Sequence, residues 1–143
     1  MFSNKEIVNL VSGGAGFIGS NLIDKLLKKG ENVICVDNFL NGSYQNISKY
    51  SKNSNFKIIN QSIIDEIEED IKIDIIWHFA CPASPKYYYQ NPIVTSKIIF
   101  QGTLNLLNYA LKNNAVFFLA STSEIYGEIE QLPIKESCYG NVK

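Results

Sequence analysis

An open, doubly wound α/β sheet is the fold the sequence predicts, and three observations predict it. Short apolar runs of strand length alternate with amphipathic segments of helical period along the chain. Several of these runs are apolar throughout, the pattern of strands buried on both faces of a parallel sheet. The first of them, residues 7–11, passes at once into three glycines, Gly13, Gly16 and Gly19, that open a helix. Strand, glycine turn, helix is the order of a dinucleotide-binding fingerprint, here in its G-x-x-G-x-x-G form.

Each glycine has its own physical task. Gly13 permits the tight turn, Gly16 lets backbone approach a pyrophosphate, and Gly19 lets helix and strand pack closely. A side chain at Gly16 would occupy the place of the phosphate, which the unpaired N–H groups and positive end of the new helix face. That helix spans 17–29, with Leu22, Ile23, Leu26 and Leu27 at helical spacing and Gly30 as its stop. Residues 32–36 form a second strand ending in Asp37. A carboxylate there accepts hydrogen bonds from the adenosine ribose hydroxyls and repels the extra phosphate of NADP, so the cofactor reads as NAD.

Residues 38–55 form a polar, turn-rich loop around Asn41-Gly42. Phe56–Asn60 reads as the third strand, 64–71 as a short acidic helix and 73–80 as the fourth strand. Pro82, Pro85 and Pro92 then bracket an aromatic loop in which no regular element is expected. Pro92 suits the first turn of a helix running to about residue 113. Its Ile93, Val94, Ile98, Phe100, Leu104, Leu107 and Leu111 give it two apolar faces, more than one sheet contact requires. Residues 115–120 are the fifth strand, and the rest reads as loop. Right-handed crossovers bring Gly13, Asp37, Ala80 and Ser121 to the carboxyl edge of the sheet, where ligands bind.

One domain, residues 1–143, accounts for a chain of this length. A net charge of −1, with all thirteen basic residues lysines spread along the chain, gives no nucleic-acid face. No apolar run has membrane-spanning length and no charged-then-apolar leader is visible, so the expected location is the cytoplasm, without a membrane partner. Cys35, Cys81 and Cys138 fall at unrelated spacings, with no Cys/His grouping to suggest a metal or a disulfide framework. His78, inside an apolar strand, reads as a packed, hydrogen-bonded residue rather than a catalytic one. Ser121, Thr122, Ser123 and Glu124 cluster after the fifth strand, where hydroxyls can donate to a substrate oxygen and a carboxylate can handle a proton, or where all can bond local backbone. Tyr87, Tyr88 and Tyr89 fit either a stacking surface or ordinary loop packing.

Read together, GGAGFIGSNL, VDNFLNG, HFACPASPKYYYQNP, QGTLNLL and LASTSEIYGE resemble the extended short-chain dehydrogenase/reductase superfamily of NAD-dependent epimerases and dehydratases, and within it the UDP-glucuronate decarboxylases. The resemblance implies a tightly held NAD that takes hydride from the sugar C4 of UDP-glucuronate, loss of carbon dioxide from the 4-keto acid, and return of the hydride to give UDP-xylose. It implies cofactor contacts at Gly13, Gly16, Phe17, Ile18, Gly19, Asp37, Asn38, Asn41, Gly42, Ser62, Ile63, Phe79, Ala80 and Ala120. It further implies substrate contacts at Pro82, Tyr88, Lys97 and Asn105, and catalytic roles for Thr122, Ser123 and Glu124.

Three departures from the family stand out. Ser62 occupies the place of an aspartate that usually meets the adenine amino group, and Ile98 and Ile99 replace polar residues. The family's Tyr-x-x-x-Lys is the third: Tyr139 and Lys143 have its spacing, but Gly140 and Asn141 interrupt any helix, and the true pair is expected beyond Lys143. The chain thus reads as the N-terminal half of a longer enzyme, truncated before the catalytic-tyrosine helix and the substrate domain and inactive alone. The resemblance also implies that the full-length family forms homodimers, in part through the 92–113 helix. The alternatives are another nucleotide-sugar 4-epimerase or 4,6-dehydratase, or a non-catalytic NAD-binding module or gene remnant.

Overall fold

The computed structural model describes residues 7–68, 71–129 and 132–141. Five strands, β1 (Val8–Ser12), β2 (Asn32–Asp37), β3 (Phe56–Asn60), β4 (Ile75–His78) and β5 (Val116–Leu119), form one parallel sheet in the order β3-β2-β1-β4-β5. This is the Rossmann-type arrangement. Strand order reverses at β1, so the crossovers leave its carboxyl end in opposite directions and open a crevice there. Register keeps the crevice level, since Ser12 pairs with Val36 on one side and His78 on the other.

Alternation along the strands divides the core into two layers. Leu10, Ile34, Val36 and Ile76 face one side and pack on Ile63, Ile73, Ile98, Leu106 and Tyr109. Val11, Val33 and Cys35 face the other and pack on Ile23 and Leu26 of α1 (Phe17–Lys28) and on Ile47. The 38–55 loop supplies that last residue, fully buried, between two 3₁₀ turns, Tyr44–Asn46 and Ser48–Tyr50. Tyr50 donates its hydroxyl to Asp24 on α1, which also accepts from Lys28 Nζ at 2.6 Å and Lys49 Nζ at 3.3 Å. The loop is therefore bolted to the first helix.

Four elements depart from the sequence expectation. The proline-bracketed loop contains a helix, α2 (Pro85–Gln90), because Pro85 sits at the first helical position, where its missing N–H would be unpaired anyway. The 92–113 helix is continuous but not uniform: α3 (Pro92–Lys97), a π turn (Ile98–Gly102) and α4 (Thr103–Asn113) follow in succession. The acidic helix expected over 64–71 is absent through residue 68, and residues 69–70 lie outside the described residues. There the Gln61 side chain donates to the Asp65 and Glu66 carbonyls at 3.3 and 3.0 Å, and Ser62 Oγ accepts from the Ile64 N–H at 3.3 Å, which ties the backbone as a turn. The 121–141 segment holds a 3₁₀ turn, Ser123–Tyr126, and a parallel bridge between Gly127 and Asn141.

Both apolar faces of the long helix are present: Ile98, Leu106 and Tyr109 are buried, while Ile93, Phe100, Leu104, Leu107 and Leu111 are exposed. Among the described residues no helix is long and apolar enough to cross a membrane.

His78 is the buried polar centre of the sheet. Its Nδ1 shares a hydrogen bond of 2.8 Å with Ser12 Oγ on β1, and its Nε2 one of 3.0 Å with Thr103 Oγ1 on α4. Burial brings its pKa down from 6.5 to about 4. Across that window the unfolded chain binds the proton and the folded one does not, so this contribution is full above pH 6.5 and is lost as pH falls toward 4. Urea unfolding at about pH 7.5 and about pH 5 checks this: wild type should lose on the order of 2 kcal/mol more than His78→Gln between the two conditions.

Candidate functional site

The glycine loop is stitched into the sheet by its backbone. Gly13 has φ +70°, and a Cβ there would lie 2.8 Å from the Ala80 nitrogen and 2.9 Å from the Phe79 carbonyl carbon. Its N–H donates to the Val36 carbonyl at 2.9 Å, so the end of β1 touches the ends of both neighbouring strands. Gly19 is equally constrained, since its Cβ would overlap the Gly13 carbonyl oxygen and lie 2.7 Å from Gly14 Cα. Gly16 differs. It precedes α1 in extended conformation, and within the protein its Cβ would meet only the Gly13 oxygen, at 3.2 Å. Gly16 lines the cleft, and a Cβ there is less crowded than at Gly13 or Gly19.

Helix α1 opens at this point. Its first turn begins with the Ser20 N–H donating to the Gly16 carbonyl at 3.0 Å, which leaves the N–H groups of Phe17, Ile18 and Gly19 ahead of that bond at the positive end of the helix. Beside them stands Asp37, buried at the end of β2. Its Oδ2 accepts from the Ala15 N–H at 2.9 Å and its Oδ1 from the Phe39 N–H at 2.8 Å. Phe39 takes φ +57° in the turn that makes the second bond possible. Beneath the loop, Cys35 contacts Gly14, and burial first, then the charge of Asp37, pushes its thiol up to about 12. That cysteine is a packing residue.

Between these groups and the end of β4 lies a cleft of about 410 Å³. Gly13, Gly16, Phe17, Asp37, Asn38, Asn41, Gly42, Ser62, Ile63, Phe79, Ala80 and Pro82 are among the residues that line it. Twelve residues nominated from the sequence, from four stretches of chain, are thereby brought to one place. Ile18, Gly19 and Ala120 do not line it, nor do Tyr88, Lys97, Asn105, Thr122, Ser123 and Glu124.

Several of those outliers have visible occupations. Asn105 donates from its amide to the Ile63 and Ile64 carbonyls at 3.1 and 2.6 Å and accepts from Gln101 at 2.7 Å, so it braces a wall of the cleft from behind. Tyr88 stacks in tilted fashion on Tyr89, with centroids 4.9 Å apart, on α2. Lys97 is exposed at the end of α3. Ala120 donates its N–H to the His78 carbonyl at 3.1 Å, which sets the exposed Thr122–Glu124 stretch just past the paired ends of β4 and β5. There Thr122 Oγ1 accepts from the Glu124 N–H at 3.2 Å and starts the 3₁₀ turn.

Cleft residues that the sequence did not single out for binding include Leu40, Gln61 and Cys81. The resemblance already set Ile98 near the cofactor, as a position where a polar contact is lost, and Ile98 lines the cleft. Among the described residues no group of His, Cys, Asp or Glu side chains could hold a metal ion.

The family model of GDP-mannose 4,6 dehydratase matches residues 10–140. The chain belongs to this family. UDP-glucuronic acid decarboxylase 4 of Arabidopsis thaliana is 46% identical over 133 residues, which cover 93% of this chain and 30% of that protein. The UDP-glucose 4-epimerase of Thermotoga maritima, solved with UDP-glucose, superposes with a TM-score of 0.77 at 34% identity, over 88% of this chain and 41% of the other. That of Thermus thermophilus, solved with NAD, gives 0.79 at 27% identity, over 94% of this chain and 44% of the other. The chain therefore spans under half the length of each of these proteins.

The two glycine environments separate packing from binding. Gly16→Ala should leave the thermal midpoint within about 2 °C of wild type, whereas Gly19→Ala, meeting immovable backbone, should lower it by roughly 5 °C or more. Differential scanning calorimetry of the two variants measures both.

Proposed function

We propose that the chain is the NAD-binding part of a UDP-glucuronate decarboxylase. One observation carries the cofactor assignment: a buried carboxylate at the end of β2 and a cleft-lining glycine, Gly16, share one cleft with the N-terminus of α1. The group fits these residues. Asp37 would accept from the adenosine ribose hydroxyls, and its two backbone bonds already fix it in place, so binding needs no rearrangement of the carboxylate. The backbone at Gly16, Phe17 and Ile18 would face the pyrophosphate. Gly13, Gly19, Asn38, Asn41, Gly42, Ser62, Ile63, Phe79, Ala80 and Ala120 complete the proposed cofactor set. Bound NAD supplies a reversible hydride acceptor.

The substrate assignment rests on the decarboxylase relatives. Thr122 and Ser123 would donate to the sugar C4 oxygen, while Glu124 stands near the sugar carboxylate; Pro82, Tyr88, Lys97 and Asn105 would flank the sugar nucleotide. A ketone at C4 lies β to that carboxylate, so the bond to the carboxyl carbon can break, with its electrons passing toward the ketone and a proton replacing the lost carbon dioxide. Among the described residues no helix carries a tyrosine followed four places on by a lysine to relay the C4 proton, so the chain alone is inactive in this reading. The whole protein would be a cytoplasmic homodimer, the exposed face of the 92–113 helix meeting a second copy. A 4-epimerase is the second reading, favoured by the solved epimerases that share the fold.

Isothermal titration of the chain should show NAD binding, with NADP at least about tenfold weaker because Asp37 opposes the added phosphate. Equal affinity, or none for NAD, overturns the cofactor assignment. For the substrate, residues 7–141 can replace the matching residues of the Arabidopsis relative. That chimera should release carbon dioxide from UDP-glucuronate, and Glu124→Gln within it should slow release roughly 100-fold or more while NAD stays bound. An epimerised sugar in the NMR spectrum of the product would favour the second reading instead.

A further inference from the structure

The peptide between Ala15 and Gly16 is gripped at both ends by the protein. Its carbonyl oxygen, on a fully buried residue, accepts from the Ser43 N–H at 3.1 Å and from the Asn46 side-chain amide at 2.8 Å. Its Gly16 N–H donates to the Gly13 carbonyl at 3.1 Å. One residue earlier, the Ala15 N–H is held by Asp37. Both donors to the carbonyl come from the 38–55 loop, which is itself fixed by the buried Ile47 and by Tyr50 on Asp24. Gly42 sits close under this contact, since a Cβ there would lie 2.9 Å from Ala15 Cβ and 3.1 Å from Asp37 Oδ1. Asn46 itself is absent from the lining of the cleft.

We propose that Asn46 is a positioning residue: by holding the Ala15 carbonyl away from the cleft, it keeps the glycine loop in the one orientation that presents N–H groups, and no carbonyl oxygen, to a pyrophosphate. Physical chemistry gives the reason. A peptide carbonyl carries partial negative charge, and one rotated toward an anion would oppose the attraction from the N-terminus of α1. With Asn46 in place, that orientation is set before a ligand arrives, and binding bears no ordering cost for the loop. The inference rests on the reading of the cleft as an NAD site.

Isothermal titration of the whole chain with NAD, and NMR titration with adenosine, which lacks the pyrophosphate, test it. Asn46→Ala should weaken NAD about tenfold, the scale of one hydrogen bond, and leave adenosine unchanged. Asn46→Asp, which keeps the shape but removes the donor, should weaken NAD at least as much. An unchanged NAD affinity in either variant overturns the proposal, as does an equal loss for NAD and adenosine, which would mark a merely structural role. Failure of the wild-type chain to bind NAD overturns the cofactor reading and this inference with it.

Discussion

Backbone packed directly against backbone is the constraint on which the carboxyl edge of this sheet is built. The ends of β1 and β4 and the first turn of α1 meet at distances that leave no room for a Cβ at Gly13 or Gly19. Because they meet there, α1 leaves the sheet at an angle that points its positive end into the crevice at the strand-order reversal. Asp37 can then reach the Ala15 N–H, and the 38–55 loop can dock on the other side of the same residue. Loosening that contact would move the helix end, the carboxylate and the loop together.

Below this edge the buried polar residues act as register pins. Asn9, fully buried, donates to Glu31 at 2.8 Å and accepts from Trp77 Nε1 at 2.9 Å, linking β1 to the segments on either side. Ser12 and His78 are register partners on adjacent strands, and their side chains also bond to each other. A slip of one residue between β1 and β4 would bury these groups unpaired, at a cost above that of the misplaced apolar side chains. Polar residues in the centre of a sheet thus reinforce what the apolar pattern specifies.

Much of this was legible in the sequence, and the reasons are local. The strands are short apolar runs between turn residues, and the glycine spacing with Asp37 marks the crevice, so the fold, Gly13, Gly16, Asp37 and Ala80 follow from pattern, while the rest of the predicted lining came from the family resemblance. Helix α2 was hidden by a rule applied unevenly: Pro92 was read as a helix start and Pro85 as a barrier, although both occupy the first helical position. Periodicity could not show the π turn, because one widened turn hardly alters the spacing of apolar residues along 92–113. Nor could it show Asn46 reaching Ala15, a contact between residues far apart in sequence that depends on how an irregular loop folds back.

The widened turn at Ile98–Gly102 also bears on how this segment can change over generations. It holds Ile98 at the cleft, Gly102 against Ile63, and Thr103 and Asn105 on their partners, all in one phase. The widened turn holds one residue more than an α-helical turn, so removing one residue there would close it with the flanking helices still in phase. A deletion within α3 would instead rotate everything after it by about 100°. Substitution can be absorbed side chain by side chain, but a rotation of that size would move Ile98, Gly102, Thr103 and Asn105 off their neighbours together. The helix should therefore tolerate changes of composition, while insertions and deletions outside the widened turn are confined to the loops around it.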